Sequence, residues 1–103
     1  MKQVQIGIIG LGGISAKHIK ELLACPQASI VAICDVDEKA LKRVQRQLNL
    51  PEVKCYRDYR ALIADCDVEG VEICTPNYLH TEMAVPVLQA NKPVNVENPI
   101  AMD

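Results

Sequence analysis

The sequence predicts a doubly wound α/β fold built on a parallel sheet of five strands in the order 3-2-1-4-5. Strand and helix patterns alternate along all 103 residues, and a glycine-rich turn joins the first strand to the first helix. Hydrophobic residues make up 50% of the chain, with no Phe or Trp, so the core must depend on Val, Ile and Leu. Short connections of this kind imply right-handed crossovers between parallel strands.

Five short apolar runs are bounded by polar or turn-forming segments, which is typical of buried strands. They are Val4–Ile9, Ser29–Cys34, Val53–Tyr56, Gly70–Cys74 and Val94–Val96. Between the runs, four segments repeat apolar residues at the spacing of a helix face. These are Ile14–Leu23, a segment between Asp37 and Asn49, Asp58–Ala64 and Tyr78–Ala90.

Local signals mark several helix ends. Asp58 is expected to cap the N-terminus of the third helix, and Asn49–Pro51 ends the second helix. Asn91 is expected to close the fourth helix in a left-handed conformation. Pro86 lies inside that helix and removes one backbone donor, which should kink or shorten it. The length leaves room for one domain, residues 1–103.

The glycine-rich turn predicts a phosphate-binding site. Gly10, Gly12 and Gly13 permit a tight turn and a close approach of the backbone to a ligand, and the helix beginning at Ile14 offers N–H groups to phosphate oxygens. This placement is typical of a Rossmann-type fold. Ser15 stands where the pattern Gly-x-Gly-x-x-Gly has its third glycine, and a small residue can fill that packing position.

Asp35 is the second part of this signal. It follows the second strand, about twenty residues beyond the glycines, where a carboxylate can accept hydrogen bonds from an adenosine ribose. Asp37 adds negative charge, and no Arg follows the strand immediately, so we expect NAD to be preferred over NADP. Alternatively, both aspartates only cap the next helix. We favour capping for Asp37 and the ribose role for Asp35.

Composition excludes several other classes of function. The formal charge of −2 gives no basic surface for nucleic acid, and no run is long enough to span a bilayer. The five cysteines are odd in number and form no Cys-x-x-Cys, which favours reduced thiols, no metal site and a cytoplasmic location.

Several motifs together resemble the Gfo/Idh/MocA oxidoreductases, the group of glucose–fructose oxidoreductase and inositol dehydrogenase. The motifs extend over the whole chain in family-like order and are Ile8–Ile14, His18, Cys34–Asp35, Thr75–Asn77, His80 and Glu97–Pro99. The resemblance implies an NAD-binding domain of an enzyme that transfers hydride between nicotinamide and a sugar or cyclitol alcohol. It also implies a small polyhydroxy substrate for the complete enzyme.

The resemblance also assigns residues after the fourth and fifth strands. Thr75, Pro76 and Asn77 would line the nucleotide crevice near the nicotinamide, although from the residues alone this could be a helix-capping turn. Glu97 would contact the cofactor. Asn98 stands where the family has the lysine of Glu-Lys-Pro, and an amide cannot carry a proton at neutral pH. The catalytic residue is therefore left unassigned.

The family's further substrate domain is missing from this chain, so we expect a truncated domain that binds NAD weakly and does not turn over substrate alone. A fifth strand near an uncovered sheet edge would favour a homo-oligomer. The alternative is a non-catalytic module that senses nucleotides or binds a partner, which Asn98 and the absent domain would suit.

Overall fold

A computed structural model describes residues 3–50, 52–75 and 80–96 of the chain. Strands and helices alternate throughout these ranges. The elements are β1 (Val4–Ile9), α1 (Gly13–Ala24), β2 (Ala28–Cys34), α2 (Glu38–Leu48), β3 (Lys54–Tyr56), α3 (Tyr59–Ala64), β4 (Gly70–Ile73), α4 (His80–Gln89) and β5 (Val94–Val96).

The strands form one parallel sheet with β1 at its centre. β1 pairs with β2 from Val4↔Ala28 to Ile9↔Cys34 and with β4 from Ile6↔Gly70 to Ile9↔Ile73, while β3 lies outside β2. The predicted α/β class, the parallel sheet and the order 3-2-1-4 of the first four strands are therefore confirmed. β5 pairs with β4 in the same direction over three residues.

The core lies in two layers, one on each face of the sheet. Successive residues of a strand point to opposite faces, so Ile8 packs in one layer and Ile9 in the other. The first layer receives Leu41, Val44 and Leu48, which form the buried face of α2. The second layer receives Leu62 and Ile63 of α3 and Val87 of α4. Helices on both faces explain why the strands are apolar on both sides.

The predicted helix ends agree well with the structure. Asp58 caps α3 by accepting a hydrogen bond from the backbone N–H of Arg60 at 2.9 Å. Asn49 and Asn91 have positive φ values of 51° and 58° after α2 and α4. Pro86 lies inside α4 without ending it, because a proline removes one donor and the remaining turns keep theirs.

None of the helices in the described part of the chain is both long and apolar enough to cross a membrane.

A buried carboxylate ties β3 to the segment that leads into β4. Tyr56 Oη donates to Asp65 Oδ2 at 2.6 Å, Lys54 Nζ donates to the same oxygen at 3.0 Å, and the N–H of Asp67 donates to Asp65 Oδ1 at 2.9 Å. These donors favour the ionised carboxylate, the tyrosine most strongly, and lower the pKa of Asp65 to about 2. Asp65, Cys66 and Asp67 lie close enough together to suggest a metal site, but Lys54 Nζ already binds both carboxylates.

This cluster predicts a specific dependence of stability on acid. Because the pKa of Asp65 is lowered on folding from its ordinary 3.8, its contribution to the free energy of unfolding is complete above about pH 4 and is lost as the pH falls towards 2. We expect Asp65→Asn to flatten the loss of stability between pH 4 and pH 2, measured as urea midpoints. Asp67→Asn, which leaves the Tyr56 bond in place, is the control and should keep the steep profile; equal profiles for wild type and Asp65→Asn would contradict the assignment.

Candidate functional site

The turn between β1 and α1 requires glycine first at Gly10. Its φ is +92°, a conformation that residues with a Cβ rarely adopt. A Cβ at this position would lie 2.7 Å from Thr75 Cγ2 and 2.9 Å from the backbone nitrogen of Thr75. Gly10 therefore lets the turn pass directly against the segment that follows β4.

The next two glycines face open space. A Cβ built on Gly12 or Gly13 meets no atom within 4 Å. Gly12 is the N-cap residue of α1, no side chain caps this helix, and its first turn has no acidic residue. The N–H of Ser15 donates to the carbonyl oxygen of Gly12 at 3.0 Å. Because no side chain caps the turn that contains Gly13 and Ile14, this is a helix end at which an anion is favoured.

Ser15 occupies the third position of the glycine pattern without disturbing the turn. Its side chain is buried, and Ser15 Oγ donates to the carbonyl oxygen of Gly12 at 2.6 Å. The hydroxyl thus folds back onto the turn, and the side chain is almost completely buried. The departure from glycine at this position is therefore accommodated by packing.

Asp35 reaches the glycine turn from the end of β2. Asp35 Oδ2 accepts from the N–H of Leu11 at 2.8 Å, and Asp35 Oδ1 accepts from the N–H of Asp37 at 2.8 Å. Asp37 caps α2 by accepting from the N–H of Lys39 at 2.9 Å. The capping prediction for Asp37 is confirmed, whereas Asp35 is directed to the turn.

Arg43 holds the other side of the Leu11 residue, a contact that the sequence analysis missed. Arg43 Nη2, on α2, donates to the carbonyl oxygen of Leu11 at 2.9 Å. Leu11 is therefore fixed through its N–H by Asp35 and through its carbonyl by Arg43. No spacing rule points to Arg43, because the contact joins residues 32 positions apart in the sequence.

A cavity of about 270 Å³ lies beside the turn, over the ends of β1, β2 and β4. Its walls are mainly apolar, with a few polar and charged side chains, as is usual for sites that bind small molecules. The lining residues are Ile9, Gly10, Leu11, Gly12, Cys34, Asp35, Val36, Arg57, Tyr59, Cys74, Thr75 and Met83. The sequence analysis did not identify Arg57, although its place immediately after β3 is a signal for this edge of the sheet.

The cavity thiol of Cys34 is not an ionised nucleophile. Burial raises the pKa of Cys34 to about 12, and the negative charges of Asp35 and Asp58 act in the same direction. A neutral buried thiol packs as a small hydrophobic group. Cys34 therefore contributes to the wall of the cavity, as expected from its position in a strand.

Only some of the predicted site residues can be placed. Gly10, Gly12, Asp35 and Thr75 line one cavity, and Gly13 and Ile14 begin α1 beside it. The remaining predicted positions lie outside the described residues and stay predictions: Pro76, Asn77, Glu97 and Asn98.

Comparison with known proteins supports the same interpretation. The family profile of the Gfo/Idh/MocA oxidoreductases, described as an oxidoreductase family with an NAD-binding Rossmann fold, matches residues 4–103. Inositol 2-dehydrogenase from Salmonella typhimurium is 38% identical over 102 residues, which cover 96% of this chain and 30% of that protein. The chain thus spans less than a third of the length of this relative.

Solved structures share the fold closely. The structure of scyllo-inositol dehydrogenase from Lactobacillus casei with bound NAD(H) and scyllo-inositol has a TM-score of 0.86 and 26% identity, covering 96% of this chain and 29% of that one. A mutant 3-ketoreductase from Actinomadura kijaniata, in complex with TDP-benzene and NADP, has a TM-score of 0.86 and 27% identity, with coverage of 96% and 31%. With its open glycine turn, parallel sheet and family match in agreement, the chain belongs to the Gfo/Idh/MocA oxidoreductase family and is an NAD-binding Rossmann domain.

Proposed function

We propose that this domain binds NAD across the ends of β1, β2 and β4 and presents it for hydride transfer to or from a cyclitol or sugar alcohol. The observation that carries the proposal is the open cradle at Gly12 and Gly13 beside the Asp35 carboxylate. It combines an anion site with an acceptor for hydroxyl groups, the two requirements of a dinucleotide.

The diphosphate fits the start of α1. Gly12 and Gly13 leave open space where any side chain would project, and α1 carries no side-chain cap that would compete for its N–H groups. The aligned peptide dipoles add partial positive charge at this end of the helix. We assign the diphosphate oxygens to the N–H groups of the turn, with Ile14 in the first turn of the helix.

The adenosine fits the neighbouring cavity. Asp35 already accepts one backbone hydrogen bond on each oxygen, and each carboxylate oxygen has a further lone pair for a ribose hydroxyl. Val36 is an exposed residue of the cavity lining, and Ile9 and Met83 contribute apolar surface to the cavity wall. We infer a preference for NAD over NADP, because a 2′-phosphate would lie against the Asp35 charge with Asp37 nearby.

The bound nicotinamide would supply the hydride acceptor or donor, and the domain's own contribution is to bind and orient it. Thr75 follows β4, lines the cavity, and its hydroxyl donates to Met83 Sδ on α4 at 3.5 Å, so we propose that it limits how far the cofactor enters. We propose that Pro76, Asn77 and Glu97 complete the nicotinamide end. Because Asn98 cannot carry a proton, another group must assist the substrate oxygen in the complete enzyme.

The remaining proposals concern the whole protein. We infer that this is the cofactor domain of a longer, homo-oligomeric enzyme whose further domain binds the polyhydroxy substrate. The inositol dehydrogenases among the relatives support the cyclitol class. All five cysteines are free thiols in the described structure, which supports a reducing compartment such as the cytoplasm. No observation favours the non-catalytic module.

The cofactor preference is tested by removing the charge of Asp35 while keeping its shape. In Asp35→Asn, the single side-chain oxygen can still accept from Leu11, so the turn should persist although the bond from the N–H of Asp37 is lost. The repulsion of a 2′-phosphate is then gone. We expect the ratio of NAD to NADP affinity, measured by calorimetric titration, to fall about tenfold, or about 1.4 kcal/mol.

The matched control is Asp37→Asn, because asparagine caps a helix as well as aspartate does. Asp37→Asn should change the ratio of NAD to NADP affinity by less than about threefold, because an exposed charge contributes little to binding. Equal loss of NAD and NADP binding in Asp35→Asn would contradict the ribose assignment. Absence of NAD binding to the wild-type protein would contradict the proposed function itself.

The diphosphate assignment predicts opposite effects at two glycines. Gly12→Ala should leave the thermal midpoint nearly unchanged, because its Cβ meets no protein atom, yet weaken NAD binding about tenfold or more by occupying ligand space. Gly10→Ala should lower stability by about 1–3 kcal/mol through strain and its contact with Thr75. Thermal melts and NAD titrations separate the two; full NAD affinity in Gly12→Ala would refute the assignment.

A further inference from the structure

We propose that Arg57 is a specificity-determining residue of the adenosine site, where its guanidinium attracts a 2′-phosphate that Asp35 repels. The choice between NAD and NADP is then set by two opposing charges on neighbouring strands. This inference rests on the proposed binding of a dinucleotide and names a residue that the family motifs quoted above do not include.

The sheet register brings Arg57 to this position. Cys34 on β2 pairs with Tyr56 on β3, and the N–H of Asp35 donates to the carbonyl oxygen of Tyr56 at 3.1 Å. Arg57 is the next residue after Tyr56, so it leaves the sheet directly beside Asp35. Both residues line the same cavity.

Arg57 is available to an external anion. It is exposed, and within the described residues it makes no hydrogen bond or ion pair. By contrast, Arg43 binds the Leu11 carbonyl, and Lys54 binds Asp65 and Asp67. Arg60 lies over the Tyr59 ring at 5.4 Å.

Among the residues that the structure describes, no carboxylate forms an ion pair with Arg57. Asp37 and Asp58 each accept a backbone N–H as the cap of a helix, and Asp35 accepts from Leu11 and from Asp37. A guanidinium presents several donors in a planar fork that matches phosphate oxygens. A 2′-phosphate near Asp35 is therefore the anion that this geometry can recognise.

The test uses ligands that differ only in the 2′-phosphate. Adenosine 5′-monophosphate and adenosine 2′,5′-bisphosphate are titrated calorimetrically into wild type, Arg57→Gln and Arg46→Gln. The same titrations are repeated with Asp35→Asn and with each arginine variant combined with Asp35→Asn. Arg46 is an exposed arginine of α2 outside the cavity and serves as the matched control. NAD and NADP are titrated in parallel.

We expect Arg57→Gln to weaken binding of the bisphosphate about five- to tenfold, which is the effect of losing one accessible charge pair with phosphate. Binding of the monophosphate should weaken less than twofold. In the Asp35→Asn background, Arg57→Gln should remove most of the gain in NADP affinity. The Arg57 effect should also shrink as salt is raised from low to physiological concentration. Arg46→Gln should change neither the ratio of bisphosphate to monophosphate affinity nor the ratio of NADP to NAD affinity.

Two results overturn the proposal. Equal weakening of both adenosine ligands in Arg57→Gln would place Arg57 against the shared part of the ligand or in the fold. Unchanged affinities for both adenosine ligands would show that Arg57 does not reach the 2′ position. If wild type binds the monophosphate and NAD but the ratio does not respond, only Arg57 is wrongly assigned; if neither ligand binds, the proposed function fails as well.

Discussion

The hydrogen bond between the Leu11 N–H and the Asp35 carboxylate is the interaction on which this site depends. It joins the turn after β1 to the end of β2, next to a second bond from the Gly10 N–H to the Cys34 carbonyl at 2.8 Å. Arg43 completes the arrangement by binding the Leu11 carbonyl. Because the turn is held before any ligand arrives, less ordering is required on binding. The open space at Gly12 is a consequence of that fixed backbone.

In the site we propose, the same carboxylate links architecture to specificity. Asp35 accepts from the N–H of Leu11 and thereby holds the turn, and its remaining lone pairs and negative charge are what we propose selects the ribose substituent. Arg57 and Asp35 follow adjacent strands at the same edge of the sheet, so under the proposal a change in either charge would shift the cofactor preference without altering the fold.

The central position of β1 explains why these groups converge. It has a neighbour on each side, so the segment after it lies between the ends of β2 and β4 and contacts both. Gly10 shows how tight this arrangement is, because any side chain there would collide with Thr75. The two apolar layers hold β1 from both faces through Ile8 and Ile9. The position of the turn is therefore determined by packing on four sides.

The sequence alone determined the α/β class, the order of the first four strands, most helix ends and the glycine–aspartate pair, because these depend on residue periodicity, backbone conformation and short-range capping. Asp37, Asp58 and Asn91 could be interpreted locally for that reason. Only the tertiary structure decided the partner of Arg43, the place of Arg57 in the same cavity as Asp35, and the cluster of Tyr56 with Asp65. Each of these depends on strand register and side-chain direction across elements distant in the sequence, and no local pattern encodes that geometry.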